Sequence, residues 1–322
     1  APAHGRHRLK ALVFERFGGP EVLRLEEVPD PVPGPGEALV RARAIGLNFA
    51  DVYRRKGAYH LKGAPPWIAG YEAAGEVVAA ASGSPFKPGD RVAFADSPFA
   101  NAELAAVPVE KLIPLPDDIS FETAAALLLQ GLTAQYLVRD SHAVKAGETV
   151  LVHAAAGGVG LLLVQMAKRL GARVIGLTSS EAKAQAVLEA GADEVLLSNT
   201  DWVSAAKGAD VAYDSIGSTL MQSLDAVRTG GHVVFYGMAG GDPHHVSPRL
   251  TLAPRKTLTG GDLWNVLTSR EERVRRSSEL FAWVREGALK VHIAAKFPMA
   301  EGARAHAFLE SRASSGKVLL IP

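Results

Sequence analysis

The sequence predicts an α/β protein in which a doubly wound parallel-sheet domain is inserted into a β-rich domain. Short strand patterns separated by Gly and Pro dominate residues 10–109. From residue 148 onward, strand and helix patterns alternate, which favours a parallel sheet covered by helices. The resulting division is a disordered tail at 1–9, a β-rich domain at 10–125 plus 265–322, and the parallel-sheet domain at 126–264.

The first part of the chain carries short apolar or alternating runs bounded by turn residues, which predict strands. Such runs occupy residues 11–15, 22–26, 38–45, 75–80 and 91–95, and a short helix is predicted at 48–55. Strands at this spacing are typical of a compact all-β barrel or sandwich. The opening residues 1–9 lack the apolar core of a signal peptide, so a disordered tail is expected there.

The second part begins with a helical pattern from Ser120 to Leu137 and then alternates regularly. The predicted strands are 149–153, 172–177, 194–197, 210–214 and 231–236, and the predicted helices are 159–170, 180–190, 200–206 and 218–228. After residue 262 the predicted order is a helix at 271–286, a strand at 289–294, a helix at 300–313 and a strand at 317–321. These last elements return the chain to the β-rich domain.

The stretch Glu148–Leu170 has the strand–turn–helix pattern of a dinucleotide-binding unit. Its turn holds Ala155, Gly157 and Gly160 in an A-x-G-x-x-G arrangement, with Gly158 and Val159 between the two glycines. Minimal side chains let the backbone approach a pyrophosphate, and the helix N-terminus offers N–H groups to it. The alternatives are a glycine turn that merely packs the helix on the sheet, and a membrane segment, for which the apolar run is too short.

Composition excludes several classes of function. The 322 residues suit two domains, and the net charge of +1 gives no reason to expect binding to nucleic acid or to a membrane. The sequence contains no cysteine, which excludes disulfides, thiolate catalysis and thiolate-bound zinc and is compatible with a reducing compartment. A cytoplasmic location is therefore expected.

A series of ordered motifs makes the chain resemble the zinc-free quinone oxidoreductases, the zeta-crystallin family of the medium-chain dehydrogenase/reductase superfamily. The motifs are GGPEVL (18–23), GLNFADVYRRKGAY (46–59), GYEAAGEV (70–77), PGDRV (88–92), QGLTAQYL (130–137), HAAAGGVG (153–160), AYDSIG (212–217) and LESRASSGKVLLIP (309–322). The resemblance covers residues 10–322 and implies a GroES-like catalytic domain with a Rossmann-type NADPH-binding domain inserted in it.

The residue types argue against a catalytic zinc site. The resemblance places Asn48 where zinc-dependent relatives have a cysteine ligand, and Tyr71 where they have the histidine of a G-H-E segment. Of the ten histidines, only the pair His244 and His245 falls in ligand-like spacing, and a surface pair is the interpretation we prefer. Without a metal to polarise a carbonyl, quinones and activated alkenes are favoured as acceptors over simple alcohols as donors.

NADPH is expected as the cofactor. Thr178 and Ser179 follow the second strand where an NAD site usually has an acid. The resemblance assigns the 2′-phosphate to Lys183 and Arg312, with Ser198 in the place of the family's usual tyrosine. It also assigns Asn48 and Thr133 to the nicotinamide end, and the backbone of Tyr236 and Gly237 to the nicotinamide riboside, in a cleft between the domains. The alternative for Lys183 is an ordinary exposed helix lysine.

The resemblance places Tyr53 and Asn48 at the nicotinamide end of the cleft. They are the candidate catalytic residues, because a phenol or an amide can donate a hydrogen bond to the acceptor oxygen. On one regular helix these two positions differ by about 140° around the axis, so both cannot point straight into one pocket. The candidates for contact with a planar substrate are Tyr53, Tyr59 and Trp67. For Tyr59 and Trp67 the alternative is ordinary packing in the core of the β-rich domain. Asp51 is expected to act at the start of the helix and not as a catalytic acid.

Three functions remain open from the sequence alone: an NADPH-dependent quinone reductase, an NADPH-dependent reductase of α,β-unsaturated carbonyls such as alkenals, enones or enoyl thioesters, and a nucleotide-binding structural or regulatory protein with little turnover. The segment from Gly231 to Gly261 is expected at the edge of the nucleotide-domain sheet. Unpaired edge strands can pair with a strand of another chain. The resemblance implies a homodimer formed through this edge. The alternative is a monomer in which proline-containing loops shield the edge.

Overall fold

The computed structural model describes residues 8–59 and 62–322. The strands, in chain order, are β1 (Arg8–Phe14), β2 (Arg24–Pro29), β3 (Glu37–Leu47), β4 (Trp67–Ile68), β5 (Glu72–Ala80), β6 (Arg91–Phe94), β7 (Leu104–Pro108), β8 (Ile113–Pro114), β9 (Thr149–Val152), β10 (Arg173–Thr178), β11 (Glu194–Leu197), β12 (Ala209–Asp214), β13 (Val227–Phe235), β14 (Thr257–Gly260), β15 (Ile293–Pro298) and β16 (Lys317–Ile321). The α-helices are α1 (Phe49–Arg55), α2 (Phe121–Tyr136), α3 (Gly158–Arg169), α4 (Glu181–Glu189), α5 (Trp202–Ala205), α6 (Leu220–Ala226), α7 (Arg249–Leu252), α8 (Arg270–Arg285) and α9 (Gly302–Glu310).

The chain divides into two compact units. The first contains the residues up to Leu129 together with Leu267–Phe281 and Ile293–Pro322. The second contains Gln130–Val266 and Ala282–His292. The predicted fold class is confirmed: one unit is β-rich and the other is built on a parallel sheet.

The first unit holds two sheets. In the smaller, β1 pairs antiparallel with β2 on one side and with β4 on the other. The larger has the order β15-β16-β3-β5-β6-β8, and β7 pairs with β3. Alternation along β3 turns Ala38, Val40 and Ala42 inward, because successive side chains of a strand point to opposite faces. These residues join the main hydrophobic core of the unit.

The second unit is a six-stranded parallel sheet with the strand order β11-β10-β9-β12-β13-β14. The chain moves outward in one direction from β9 to β11 and in the other from β12 to β14. The order therefore reverses between β9 and β12, and ligands of such sheets bind at the carboxyl ends of the strands at this point. Strands β9 and β10 read as apolar runs because they are buried in the middle of the sheet.

Some element boundaries differ from the predictions. Arg8 and Leu9 belong to β1, so the expected tail is shorter, and its residues 1–7 lie outside the described residues. The strand predicted at 289–294 lies at Ile293–Pro298. The helix predicted at 218–228 ends at Ala226, because Val227 already has extended backbone and begins β13.

Several short elements were not predicted, namely β4, β7, β8, β14 and α7. Strand β7 is rich in alanine, and β14 has four residues that are exposed or half-buried, so neither shows a strong apolar pattern. Strand β14, and not β13, is the edge strand of the parallel sheet. Among the described residues, no helix combines the length and the apolar composition needed to cross a bilayer.

Candidate functional site

The turn between β9 and α3 has the tight geometry that the A-x-G-x-x-G pattern predicts. Ala154 has a φ of 46°, and the Ala155 N–H donates to the Leu177 carbonyl at 2.9 Å, which ties the turn to β10. Gly157 caps α3, and the first bond across the cap runs from the Leu161 N–H to its carbonyl at 3.0 Å. A Cβ at Gly160 would collide with the Ala154 carbonyl oxygen. The backbone N–H groups of residues 158–160 precede this first bond of the helix. They therefore belong to the N-terminal turn, where helices bind anions.

Gln130 gives an independent indication that a polar ligand belongs at this helix start. Its Oε1 is buried and accepts no hydrogen bond from the described residues. A Cβ added at Gly158 would collide with this side-chain amide, so the glycine permits the close approach. A buried amide oxygen is normally bonded, and an orphan of this kind is explained by a bound ligand or water. The glycines and this amide fit a dinucleotide at the start of α3.

The carboxyl end of β10 carries the residues expected at the ribose phosphate. Lys183 Nζ donates to Ser179 Oγ at 3.4 Å, and the Thr178 hydroxyl donates to the Ser180 carbonyl at 3.1 Å. Ser198 is exposed at the end of β11, and its N–H donates to the Thr178 carbonyl at 2.8 Å. The structure thus brings together an ammonium group and two serines at the tip where NAD-binding relatives place an acid.

Asp214 shapes the neighbouring loop, and sequence reasoning missed it although AYDSIG was one of the resemblance motifs. Its Oδ1 accepts the N–H groups of Ile216 and Gly217 at 2.9 and 3.1 Å. The Ser223 hydroxyl donates to its Oδ2 at 2.6 Å. Burial alone would raise the pKa of Asp214, but nearby His153 and the donated hydrogen bonds outweigh this and hold the pKa below its ordinary value. The carboxylate therefore remains charged and fixes the loop after β12.

His153 and Ser223 complete this cluster but do not form a nucleophile. The His153 Nε2 lies 2.8 Å from the Ser223 Oγ, and all three side chains are buried. Burial lowers the pKa of His153, and the neighbouring Asp214 carboxylate opposes that shift. Since the serine gives its only proton to Asp214, the histidine nitrogen must be the donor in their mutual bond. The cluster holds the ends of β9 and β12 together.

The backbone after β13 reaches the same edge of the parallel sheet. The Tyr236 N–H donates to the Asp214 carbonyl at 3.0 Å. A Cβ at Gly237 would lie 3.0 Å from the Ser215 carbonyl oxygen, so this glycine permits a close approach of the two loops. Thr133 is buried on the part of α2 that belongs to this second unit. Their predicted contacts with the nicotinamide and its riboside stay predictions.

In the first unit, Asn48 lies in a buried polar network. Lys317 Nζ donates to Asn48 Oδ1 at 2.8 Å and to Glu72 Oε2 at 2.6 Å. Asn48 Nδ2 donates to the same carboxylate oxygen at 2.9 Å, and the Leu129 N–H donates to Glu72 Oε1 at 2.7 Å. Burial lowers the pKa of Lys317, and the ion pair with Glu72 opposes that shift. The ammonium group fixes the orientation of the Asn48 amide.

The helix angle expected between positions 48 and 53 does not apply, because Asn48 is not in the helix. It has extended backbone with φ −136° and caps α1, which begins at Phe49. Asp51 accepts the Asn48 N–H at 2.7 Å and so acts at the helix start, as expected. Burial raises the pKa of Asp51 to about 7, against the lowering effect of that hydrogen bond.

Three tyrosines form a continuous aromatic wall beside this network. The ring of Tyr59 lies edge-on to Tyr53 at 6.0 Å and to Tyr71 at 6.2 Å between ring centroids. Tyr71 is buried, and burial raises its pKa. Tyr53 and Tyr59 are both half-buried, so these two rings, and not that of Tyr71, are placed to meet a ligand first.

Trp67 packs differently. Its ring stacks on Phe17 at 5.3 Å with an interplanar angle of 12° and contacts Phe14 at 5.3 Å. Its indole N–H donates to the Gly63 carbonyl at 3.2 Å. This arrangement favours packing at the edge of the core over stacking on a substrate. Arg312 lies in the first unit, exposed, with a φ of 56° directly after α9.

Within the described residues, no group of three His, Asp or Glu side chains could hold a metal ion. The loop pair His244 and His245 belongs to no such group there. The positions that hold zinc ligands in metal-dependent relatives carry Asn48 and Tyr71, and the glutamate beside them is bonded to Lys317.

Comparison with known proteins agrees with this geometry. A family model described as alcohol dehydrogenase GroES-like domain matches residues 34–148, and one described as zinc-binding dehydrogenase matches residues 158–281. The quinone oxidoreductase of Pseudomonas aeruginosa is 42% identical over 97% of this chain and 99% of that protein. A 2-haloacrylate reductase from a Burkholderia species is 39% identical over 97% of this chain and 98% of that protein.

A solved structure of Escherichia coli quinone oxidoreductase complexed with NADPH matches with a TM-score of 0.93 and 39% identity, covering 97% of this chain and 100% of that chain. The likeness therefore extends over nearly the whole length of both proteins.

Proposed function

This chain belongs to the zinc-free quinone oxidoreductase family of the medium-chain dehydrogenases/reductases, and from that premise we propose that it reduces quinones at the expense of NADPH. The protein is an NADPH-dependent oxidoreductase. The observation that carries the proposal is the aromatic wall of Tyr53, Tyr59 and Tyr71 beside the Asn48 network, since a planar ring packs well against aromatic side chains.

The residues of the second unit bind and orient the cofactor. The start of α3 holds the pyrophosphate, and Ser179 and Lys183 hold the 2′-phosphate, with Ser198 beside them. Arg312 of the first unit is proposed to contribute the second cation for that phosphate. When bound, NADPH supplies the hydride.

The residues of the first unit act on the acceptor. Hydride arrival leaves negative charge on a quinone oxygen, and a donor placed in advance stabilises it. Tyr53 is proposed as that donor, with its ring already fixed by contacts with Phe49 and Tyr59. Asn48 is proposed to assist through its amide N–H. Its Oδ1 accepts from Lys317, and its Nδ2 donates to Glu72 at 2.9 Å and to the Gly46 carbonyl at 3.4 Å, so a ligand would take the N–H of the longer bond.

Reduction of an activated alkene is the second candidate. The observation that favours it is the 39% identity with a 2-haloacrylate reductase over nearly all of both chains. Both reactions use the same cofactor and differ in the acceptor. A panel of neutral quinones and enals under NADPH oxidation separates them. We expect kcat/KM to be highest for a quinone; higher values for every enal would assign the alkene reaction, and no turnover of either class would count against both.

We further propose a cytoplasmic homodimer formed through the edge of the parallel sheet. Strand β14 has no further neighbour in that sheet among the described residues, and Leu250, Leu252 and Leu258 are exposed near it. Pairing with a second copy would cover this edge and these side chains. Light scattering is expected to give about twice the chain mass of 33.9 kDa. A particle with the mass of one chain would rule the dimer out.

A further inference from the structure

Two neighbouring arginines of α1 are equally buried but differently bonded. Arg54 and Arg55 are each 1% exposed. Arg55 donates to the Gly18 carbonyl at 3.0 Å and to Glu310 at 2.8 Å, and it bonds His306 at 2.8 Å. Among the described residues, Arg54 donates only through Nη1, to the Ile68 carbonyl at 2.7 Å. Its Nε and Nη2 donate to no acceptor among the described residues. A buried guanidinium with two unused nitrogens calls for a ligand.

The two unused nitrogens lie on one edge of the guanidinium, and that edge matches a carboxylate. Elsewhere in the same unit, the buried Arg273 uses this edge to bind Asp96, with Nε at 3.2 Å from one oxygen and Nη2 at 2.6 Å from the other. Bidentate pairing of this kind is the strongest and most specific contact that an arginine makes. The free edge of Arg54 can bind a carboxylate in the same way, by donating from Nε and Nη2.

No carboxylate of the chain takes this position among the described residues. Asp51, one turn earlier on α1, accepts the Asn48 N–H at its Oδ2. Among the described residues its buried Oδ1 has no hydrogen-bond partner, and no ion pair joins it to Arg54. Burial also raises the pKa of Asp51 to about 7, so near neutral pH its charge is incomplete. The positive charge of Arg54 is therefore only partly balanced by its own protein.

Aromatic rings surround the buried guanidinium. Its central carbon lies 5.8 Å from the ring centroid of Phe14, 5.6 Å from that of Tyr71 and 5.2 Å from that of Phe99. Ring faces attract the cation but provide no acceptor in its plane. Tyr71 also contacts Tyr59, so Arg54 adjoins the aromatic wall proposed to meet the acceptor.

Phe99 is the ring past which a ligand would reach Arg54. Of the three rings it alone is exposed, at 40%, and its φ of 70° lies in a region that costs energy for a residue with a side chain. Rotation of this exposed ring would be the smallest change that could give a ligand access to Arg54, because Phe14 and Tyr71 are both buried.

We propose that Arg54 is a carboxylate-binding subsite of the acceptor site, covered by Phe99, and that it makes the enzyme prefer acceptors that carry a carboxylate group. This inference rests on the proposed function, because it names the class of quinone or activated alkene that the same site selects. Charged hydrogen bonds to a buried arginine are expected to favour the acid over an uncharged analogue by about tenfold to hundredfold.

The test compares acceptors that differ only in charge. Each of two acids, 4-carboxycinnamaldehyde and 1,4-naphthoquinone-2-carboxylic acid, is measured beside its methyl ester. The ratio of kcat/KM for acid to ester is expected to exceed one in the native enzyme and to fall about tenfold to hundredfold in Arg54→Met. Arg54→Lys, which keeps the charge but loses the fork, is expected to fall between them. The control Arg275→Met removes an exposed arginine paired with Glu272, and the ratio should not change.

A second measurement needs no variant and therefore stands even where Arg54→Met fails to fold. Benzoate is expected to bind the native enzyme at least tenfold more tightly than benzamide in calorimetry, and a crystal with benzoate is expected to show its carboxylate on Nε and Nη2. Equal binding of the two, or water on that edge under saturating benzoate, would overturn the subsite. Turnover of neutral quinones with no preference for acids would overturn it while leaving the proposed function intact. Benzoate bound to Arg54 without turnover of any acceptor would support the subsite and overturn the proposed function.

Discussion

Replacing Lys317 with methionine tests the buried network around Asn48. The change removes the ammonium group that donates to Glu72 at 2.6 Å and to Asn48 at 2.8 Å, and it leaves a buried carboxylate behind. Removing one partner of a buried ion pair costs about 3–5 kcal/mol. Glu72 keeps two donors, the Asn48 amide and the Leu129 N–H, so we expect the lower end of this range, about 3 kcal/mol.

The assay is urea unfolding at pH 7, followed by tryptophan fluorescence, with the free energy taken from the shift in midpoint. The matched control is Lys296→Met, because Lys296 pairs with Glu122 in an ion pair whose side chains are 49% and 42% exposed. Such exposed pairs contribute about 0–1 kcal/mol. The double variant Lys317→Met with Glu72→Gln should recover much of the loss, since no unpaired charge is then buried. Equal losses for the two lysine variants would refute the reasoning.

The remaining predictions concern the cofactor, the acid and the pH dependence. Lys183→Ala or Arg312→Ala should raise KM for NADPH about tenfold and KM for NADH little, in steady-state kinetics with both cofactors; equal losses would count against a phosphate site. Tyr53→Phe should lower kcat about tenfold to hundredfold at nearly unchanged NADPH affinity; unchanged kcat would make the tyrosine a wall of the pocket. Asp51 holds a proton in the folded protein from about pH 4 to its pKa of about 7, so wild-type stability falls as pH rises through that window. Asp51→Asn should therefore gain about 2–3 kcal/mol relative to wild type between pH 5 and pH 8 in urea unfolding, and a constant difference would contradict the shifted pKa.

The nucleotide-binding half could be predicted from the sequence because its signals are local. Strand β9, the turn and α3 are consecutive, and each has a distinct pattern: an apolar β-branched run, small residues, then helical spacing. Crowding at Gly160 explains why that position has no side chain. The residues expected at the ribose phosphate are also local in sequence, since Ser179 precedes α4 and Lys183 lies in its first turn, four residues later.

The network in the first unit could not be predicted in this way. Lys317 and Glu72 lie 245 residues apart, and nothing in their neighbouring sequence indicates that they pair. The cap at Asn48 was missed because a regular helix was assumed from that residue, although asparagine is a common N-cap. Boundaries of this kind depend on which side chain reaches the first N–H groups, a contact that periodicity does not record.

The central claim, that the enzyme passes hydride from NADPH to a quinone, is tested most directly by stoichiometry in the absence of oxygen. Purified protein is mixed with limiting NADPH and excess neutral quinone, and both the oxidised cofactor and the hydroquinone are quantified. The account predicts one hydroquinone formed for each NADPH consumed, with NADH a poorer donor. The account would be contradicted if no quinone caused oxidation of NADPH while an enal was reduced by NADPH under the same conditions.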